Sequence, residues 1–229
     1  MLRKTVLGLF ITLVILFSFL ELRNLLWATS YDKATAFGYF IALFYTMILG
    51  FLLRKSITSF FANLNKTRSF VVLGLFGAFI VETSIWGAQT VFHITGAAIS
   101  SKPFVDLIMT LPFYATLTYL FSKIALENEN KLSWVTVIIL GGIYEIFADG
   151  VFGNLFKGDL LAILLSPLLL PVFVIVYAPI ILVPYLIIFN PKGKWDEFIF
   201  EFKFLEPALA VLVLPVSITL GLILEKVLT

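Results

Sequence analysis

The chain has 229 residues, 61% hydrophobic and only 13% charged, with a formal net charge of +2 and a mean hydropathy of +1.07. A soluble domain carries about 25% charged residues and could not cover this much apolar surface with polar groups, so the composition requires lipid as its solvent. The absence of cysteine and the single histidine exclude disulfides, thiolate metal sites, cysteine nucleophiles and zinc sites built from several histidines. The basic residues lie between apolar runs rather than in one patch, and nothing in this small net charge favours nucleic acid.

Apolar runs of about 20 residues cross a hydrocarbon core of about 30 Å. They recur often enough to predict an all-α polytopic membrane bundle of about seven transmembrane helices, a single domain over 1–229. The first span lies near 5–27. Arg3 and Lys4 ahead of Val6 to Leu20, with Ala28-Thr29-Ser30 behind, imitate a signal peptide, but we read the segment as a span. The others lie near 35–53, 69–93, 103–125, 132–156, 160–189 and 205–227. Between the second and third, Phe60, Phe61 and Leu64 among basic residues predict a surface-lying stretch.

The sixth span carries Pro167, Pro171, Pro179 and Pro184. Each removes a backbone donor and clashes with the preceding turn, so a kinked or broken helix is expected. Such a break needs neighbouring protein or a wet cavity to satisfy the freed carbonyls. Prolines are also simply commoner in membrane helices. Residues 195–204 place Trp195, Phe198, Ile199 and Phe202 at helical spacing among charges, which predicts an interfacial helix. Phenylalanine at 198, 200, 202 and 204 equally fits a strand.

Orientation follows from lysine and arginine in the connections. Arg3, Lys4, Arg54, Lys55, Lys66, Arg68, Lys123, Lys131, Lys192, Lys194 and Lys203 fall on one side. Arg23, Lys33, Lys102, Lys157 and Lys226 fall on the other, a tally of eleven against five. The N-terminus is therefore expected in the cytoplasm and the C-terminus outside, with the chain multi-pass in the plasma membrane.

Charged side chains deep in a span cost several kcal/mol on insertion scales and are functional candidates by default. Glu82 lies near the middle of the third span, Glu145 near the middle of the fifth with Asp149 one turn on, and Asp106 one turn inside the fourth. Glu82, Trp86, Gln89 and His93 fall on one helical stripe. Gly74 and Ala78 extend it, and small residues let helices approach closely. Gly141, Glu145, Asp149 and Gly153 repeat the pattern by fours. The third and fifth spans are therefore expected to run in the same direction, each with its acidic face toward other helices. The matching small residues, Ala78 and Gly87 against Gly141 and Gly150, read as a faint trace of a parallel internal repeat. Glu21 and Glu206 read as interface residues, and Asp106 also fits a helix start after Pro103. The short connection between spans would bring His93 and Asp106 to similar depth, where a pair would fix one imidazole tautomer.

No lysine or arginine sits in the middle of a span. Carboxylates in that setting must be protonated, hydrated, hydrogen-bonded or bound to a cation, because desolvation disfavours the charged form. The pattern predicts an acidic, outward-facing cavity of a transporter or permease. Glu82, Glu145, Asp149, Asp106, Gln89, His93 and Trp86 would bind a proton, a small cation or a cationic solute there. Two other classes fit the composition. A membrane enzyme would use a carboxylic acid to protonate a lipid or isoprenoid, with aromatic walls (25 Phe, 8 Tyr, 4 Trp) shielding a carbocation. A non-catalytic subunit would use the acids to bind the basic transmembrane residue of a membrane protein partner. The sequence contains no DDxxD, GxGD or HExxH run, and Lys226 lies too near the end of its span for a retinal Schiff base. No cofactor or bound metal is called for.

Overall fold

Each apolar run becomes a helix because hydrocarbon offers the backbone no partner outside its own segment. The computed structural model describes residues 2–29, 31–94, 98–128, 132–189 and 201–227. Among them the regular structure is helical, without strands. Helix α1 (Leu2–Trp27) leads to α2 (Tyr31–Tyr45), which continues as a π-helical turn over Thr46–Leu52. The short α3 (Arg54–Phe61) precedes α4 (Lys66–Val91) and α5 (Pro103–Glu127). Helix α6 (Trp134–Glu145) passes into a second π segment, Ile146–Gly153, and the single turn α7 (Asn154–Lys157). The proline-rich run is one continuous but interrupted helix. It comprises α8 (Leu160–Leu165), a 3-10 turn Ser166–Leu169, α9 (Leu170–Tyr177), a π turn Ala178–Leu182 and α10 (Val183–Ile188). A 3-10 helix, Phe202–Val213, opens the last segment and α11 (Leu214–Val227) completes it.

Among the described residues five segments are long and apolar enough to cross a membrane: Asp32–Leu52, Lys66–Val91, Pro103–Glu127, Leu160–Ile188 and Phe202–Val227. The chain is thus a helical membrane bundle. Local signals set the boundaries. Asn65 caps α4 by accepting the Arg68 amide at 3.0 Å, Ser133 caps α6 through Thr136 at 3.1 Å, and Asp159 caps α8 through Ala162 at 2.9 Å. Gly158 ends α7 at φ +70°, a conformation that costs other residues a Cβ clash. Residues 195–200 of the expected interfacial segment lie outside the described residues; Phe202 and Phe204 begin the 3-10 helix rather than a strand.

Prolines decide the shape of the interrupted helix. Pro167 has no N–H for the Ile163 carbonyl, which instead accepts the Ser166 hydroxyl at 2.9 Å. Pro179 likewise leaves Ile175, whose carbonyl takes the Ala178 N–H. Val183 then reaches back five residues to Ala178, the π bond. Pro184 can donate neither to Ile180 nor to Pro179. Those two carbonyls lie against glycines of α4: a Cβ on Gly74 would stand 2.8 Å from the Ile180 oxygen, and one on Gly77 would collide with the Pro179 carbonyl. On another flank, a Cβ on Gly142 would meet Val174 at 2.6 Å, and one on Gly141 would touch Tyr177 at 3.5 Å.

These contacts fix directions. Phe70 packs on Phe189 and Gly77 on Pro179, while Tyr185 donates to the Leu132 carbonyl at 2.6 Å and Gly142 meets Val174. Helices α4 and α6 both run antiparallel to the interrupted helix and so parallel to each other. Helix α5 lies antiparallel to α4, with Phe121 on Phe70 and Thr118 on Gly74.

The last segment packs along α5. In its 3-10 part Phe204, Pro207 and Ala210 are buried while Glu206, Leu209 and Leu212 are exposed, a spacing of three that follows from three residues per turn. Further on, Ser217 donates to the Met109 carbonyl at 2.7 Å, and a side chain on Gly221 would collide with Met109.

Replacing Gly77 with alanine is expected to cost about 1–3 kcal/mol, because the added methyl meets backbone that cannot give way. Gly87, with open space around its Cβ position, is the control. Its alanine variant is expected to be neutral or up to about 1 kcal/mol more stable through helix propensity. Thermal unfolding of the detergent-solubilised proteins checks the order.

Candidate functional site

Four tyrosines, Tyr39, Tyr144, Tyr177 and Tyr185, are among the largest fully buried side chains, and Tyr114 is buried beside them. A buried phenol requires a partner for its O–H, and these partners organise the interior. Tyr144 donates to the Phe204 carbonyl at 2.6 Å, and Ser18 and Tyr39 share a 2.6 Å bond between α1 and α2. Tyr114 of α5 donates to Glu82 Oε1 of α4, also at 2.6 Å.

Glu82 is half-buried at the α4–α5 interface, so its carboxylate faces a neighbouring helix as the stripe of small residues predicts. Gly74 on that stripe and Gly77 beside it bring α4 close to α5 and the interrupted helix. The Tyr114 ring continues to Tyr177, with centroids 6.0 Å apart. Tyr177 is the last residue of α9, immediately before the π turn, and packs against Gly141, one turn before Glu145. Glu145 is 5% exposed, the last residue of α6 before its own π segment. The Asp149 side chain lies outside the described residues.

The other sequence candidates gather at the opposite end of α4. Trp86 Nε1 donates to the Ser101 carbonyl at 2.9 Å, and buried Gln89 accepts the Ala98 amide at 3.0 Å. Asp106, only 1% exposed, accepts the Ser100 amide at 3.0 Å and the backbone of Ile99. The Ser100 hydroxyl in turn bonds Glu225 of α11 at 3.1 Å. These side chains hold the connection between α4 and α5 onto the bundle. His93 stands apart from the stripe. Helix α4 stops at Val91, and His93 takes φ +53° in the turn beyond it, exposed. Asp106 faces loop backbone instead of the imidazole.

Two separate polar sites result. Tyr114 lies eight residues beyond Asp106 on one helix, about 12 Å at 1.5 Å per residue. Among the described residues no group of three or more histidine, aspartate or glutamate side chains stands close enough to hold a metal ion. A pocket bounded by α1, α6 and α9 is lined by apolar atoms alone, from residues such as Val14, Ile138 and Val174.

Spacing arguments about acids missed Tyr114, Tyr177, Ser100 and Glu225. A usable signal was present for the tyrosines: a phenol within an apolar run must find an acceptor, and carboxylates are the strongest acceptors in these helices. No family model, curated protein or solved structure matches this chain.

Replacing Asp106 with alanine leaves the Ser100 and Ile99 amides without their acceptor, at about 1–3 kcal/mol for a buried group. Hydrogen exchange over residues 98–101 is expected to quicken by tenfold or more (about 1.4 kcal/mol per factor of ten), with the centres of α4 and α5 unchanged.

Proposed function

We propose that this chain is a transporter or permease in which the Glu82–Tyr114 pair, with Glu145 and Asp149, handles a proton, a small cation or a cationic solute. The observation that carries this reading is the 2.6 Å bond from Tyr114 to Glu82 inside the helix bundle. A phenol beside a carboxylate serves both of its charge states. It donates to the anion, and its oxygen can accept from the acid once a proton arrives. One carboxylate and one phenol suit a proton or a monovalent cation better than a divalent metal, which takes six or more oxygen ligands.

The neighbouring helix supplies a moving part. Glu82 and Glu145 belong to two parallel helices packed on the same interrupted helix, whose Tyr177 lies beside Gly141 of α6 and sets its ring near Tyr114, the partner of Glu82. A π turn inside a helix is rare and frequently marks a functional position. Here it begins one residue after Tyr177. A shift of that turn would alter the Tyr114–Tyr177 contact and with it the surroundings of Glu82.

The reading takes the bundle as seven spans. Helix α1, with 26 residues, and the helical run beginning at Trp134 add two to the five long apolar segments. The excess of lysine and arginine at one end supports a cytoplasmic N-terminus and an external C-terminus, and the reading sets the bundle in the plasma membrane.

The test is flux in proteoliposomes, with a pH-sensitive dye, sodium and tetraphenylphosphonium as separate probes. Wild type is expected to move at least one of them, Glu82→Gln to lose at least about 90% of that flux, and Tyr114→Phe to slow it severalfold. A wild-type protein indistinguishable from empty vesicles with all three probes, or full flux in Glu82→Gln, overturns the proposal.

A further inference from the structure

Helix α3 and the first turn of α4 form a basic, partly apolar platform at one end of the bundle. The run from Leu53 to Ser69 contains Arg54, Lys55, Lys66 and Arg68 and no acid. Helix α3 has two unlike faces. Arg54, Ile57, Thr58 and Phe61, at the spacing of one helical stripe, turn inward. Ile57 and Phe61 pack beside Leu73, Val183 and Ile187. The two polar members hold the end of α10: Arg54 Nε donates to the Leu186 carbonyl at 2.9 Å and Thr58 Oγ1 to the Ile187 carbonyl at 3.0 Å. A helix end leaves its last carbonyls without intrahelical donors, and its negative pole favours a cation. The mooring therefore has a physical cause, and it determines which way the other face points.

Outside that stripe, exposed on its two flanks, stand Lys55 and Phe60, with Leu64 just past the helix. Phe60 is 75% exposed and Leu64 51%; Lys55, Lys66 and Arg68 are exposed as well. The stretch joins two membrane-crossing segments that end at Leu52 and begin at Lys66, so it lies at the lipid–water boundary. Side chains of that kind, aromatic and basic together, match the acyl–headgroup boundary of a leaflet bearing negative charge.

We propose that this face is a binding site for anionic phospholipid headgroups, with Lys55 and Arg68 contacting the phosphate and Phe60 seated among the acyl chains. Through Arg54 and Thr58 the site is tied to the end of the interrupted helix, so bound lipid would brace the segment that carries the π turn.

The test counts lipids retained by the purified full-length chain in neutral detergent, by native mass spectrometry, using phosphatidylglycerol and phosphatidylcholine with identical acyl chains. Wild type is expected to retain phosphatidylglycerol about thirtyfold better, the equivalent of about 1 kcal/mol for each of the two basic residues at the headgroup. Lys55→Gln with Arg68→Gln should reduce that preference to near unity. Lys102→Gln with Lys226→Gln, at the other end of the bundle, should leave it intact. All four positions are exposed except Lys102, which is half-exposed, and unchanged thermal unfolding of each variant shows that folding is preserved. Equal retention of the two lipids by wild type, or an undiminished preference in the Lys55/Arg68 variant, overturns the proposal.

Discussion

A helix interrupted by prolines inside a membrane must be covered by protein, because lipid cannot bond the carbonyls that proline abandons. In this chain the cover is glycine. Gly74 and Gly77 of α4 lie on the carbonyls of Ile180 and Pro179, where any larger residue would crowd the oxygen. Gly141 and Gly142 of α6 let that helix close on Tyr177 and Val174. Helix directions, the sandwiching of the interrupted helix and the approach of α4 to α5 all depend on these contacts.

The same close approach explains why a carboxylate can remain in the middle of α4. With α5 drawn against α4 at Gly74 and Thr118, Tyr114 comes within 2.6 Å of Glu82. The short hydrogen bond from Tyr114 offsets part of the desolvation cost of the acid. Tyr144, bonded to the Phe204 carbonyl, does comparable work between α6 and the last segment. It reaches the start of a 3-10 helix of 12 residues, far beyond the usual three or four. That geometry aligns Phe204, Pro207 and Ala210 on one side. At about 2.0 Å per residue it also stretches the segment more than an α-helix would.

The two polar regions have different chemistry. Around Asp106 every described bond runs to backbone or to Ser100, an arrangement that orders the α4–α5 connection. Around Glu82 the partner is a phenol whose ring leads to the interrupted helix. The ring contact sets Glu82 and its partner beside the interrupted helix, whereas the first region is tied to the α4–α5 connection.

Composition and hydropathy alone determine that this chain is a membrane helix bundle, since an excess of apolar residues has a single solvent in which it is stable. The prolines at 167, 171, 179 and 184 mark the interrupted helix, and the glycine stripes mark which faces of the third and fifth spans meet other helices and that the two run in parallel. Those features are legible because period and backbone chemistry are local. Tertiary structure decided that Glu82 meets Tyr114, that Asp106 and Gln89 hold loop backbone, and that His93 falls beyond the end of α4 at φ +53°. Each of these depends on which residue of a second helix arrives at the same level, and that register is set by packing of glycine against carbonyl, which no spacing within one segment encodes.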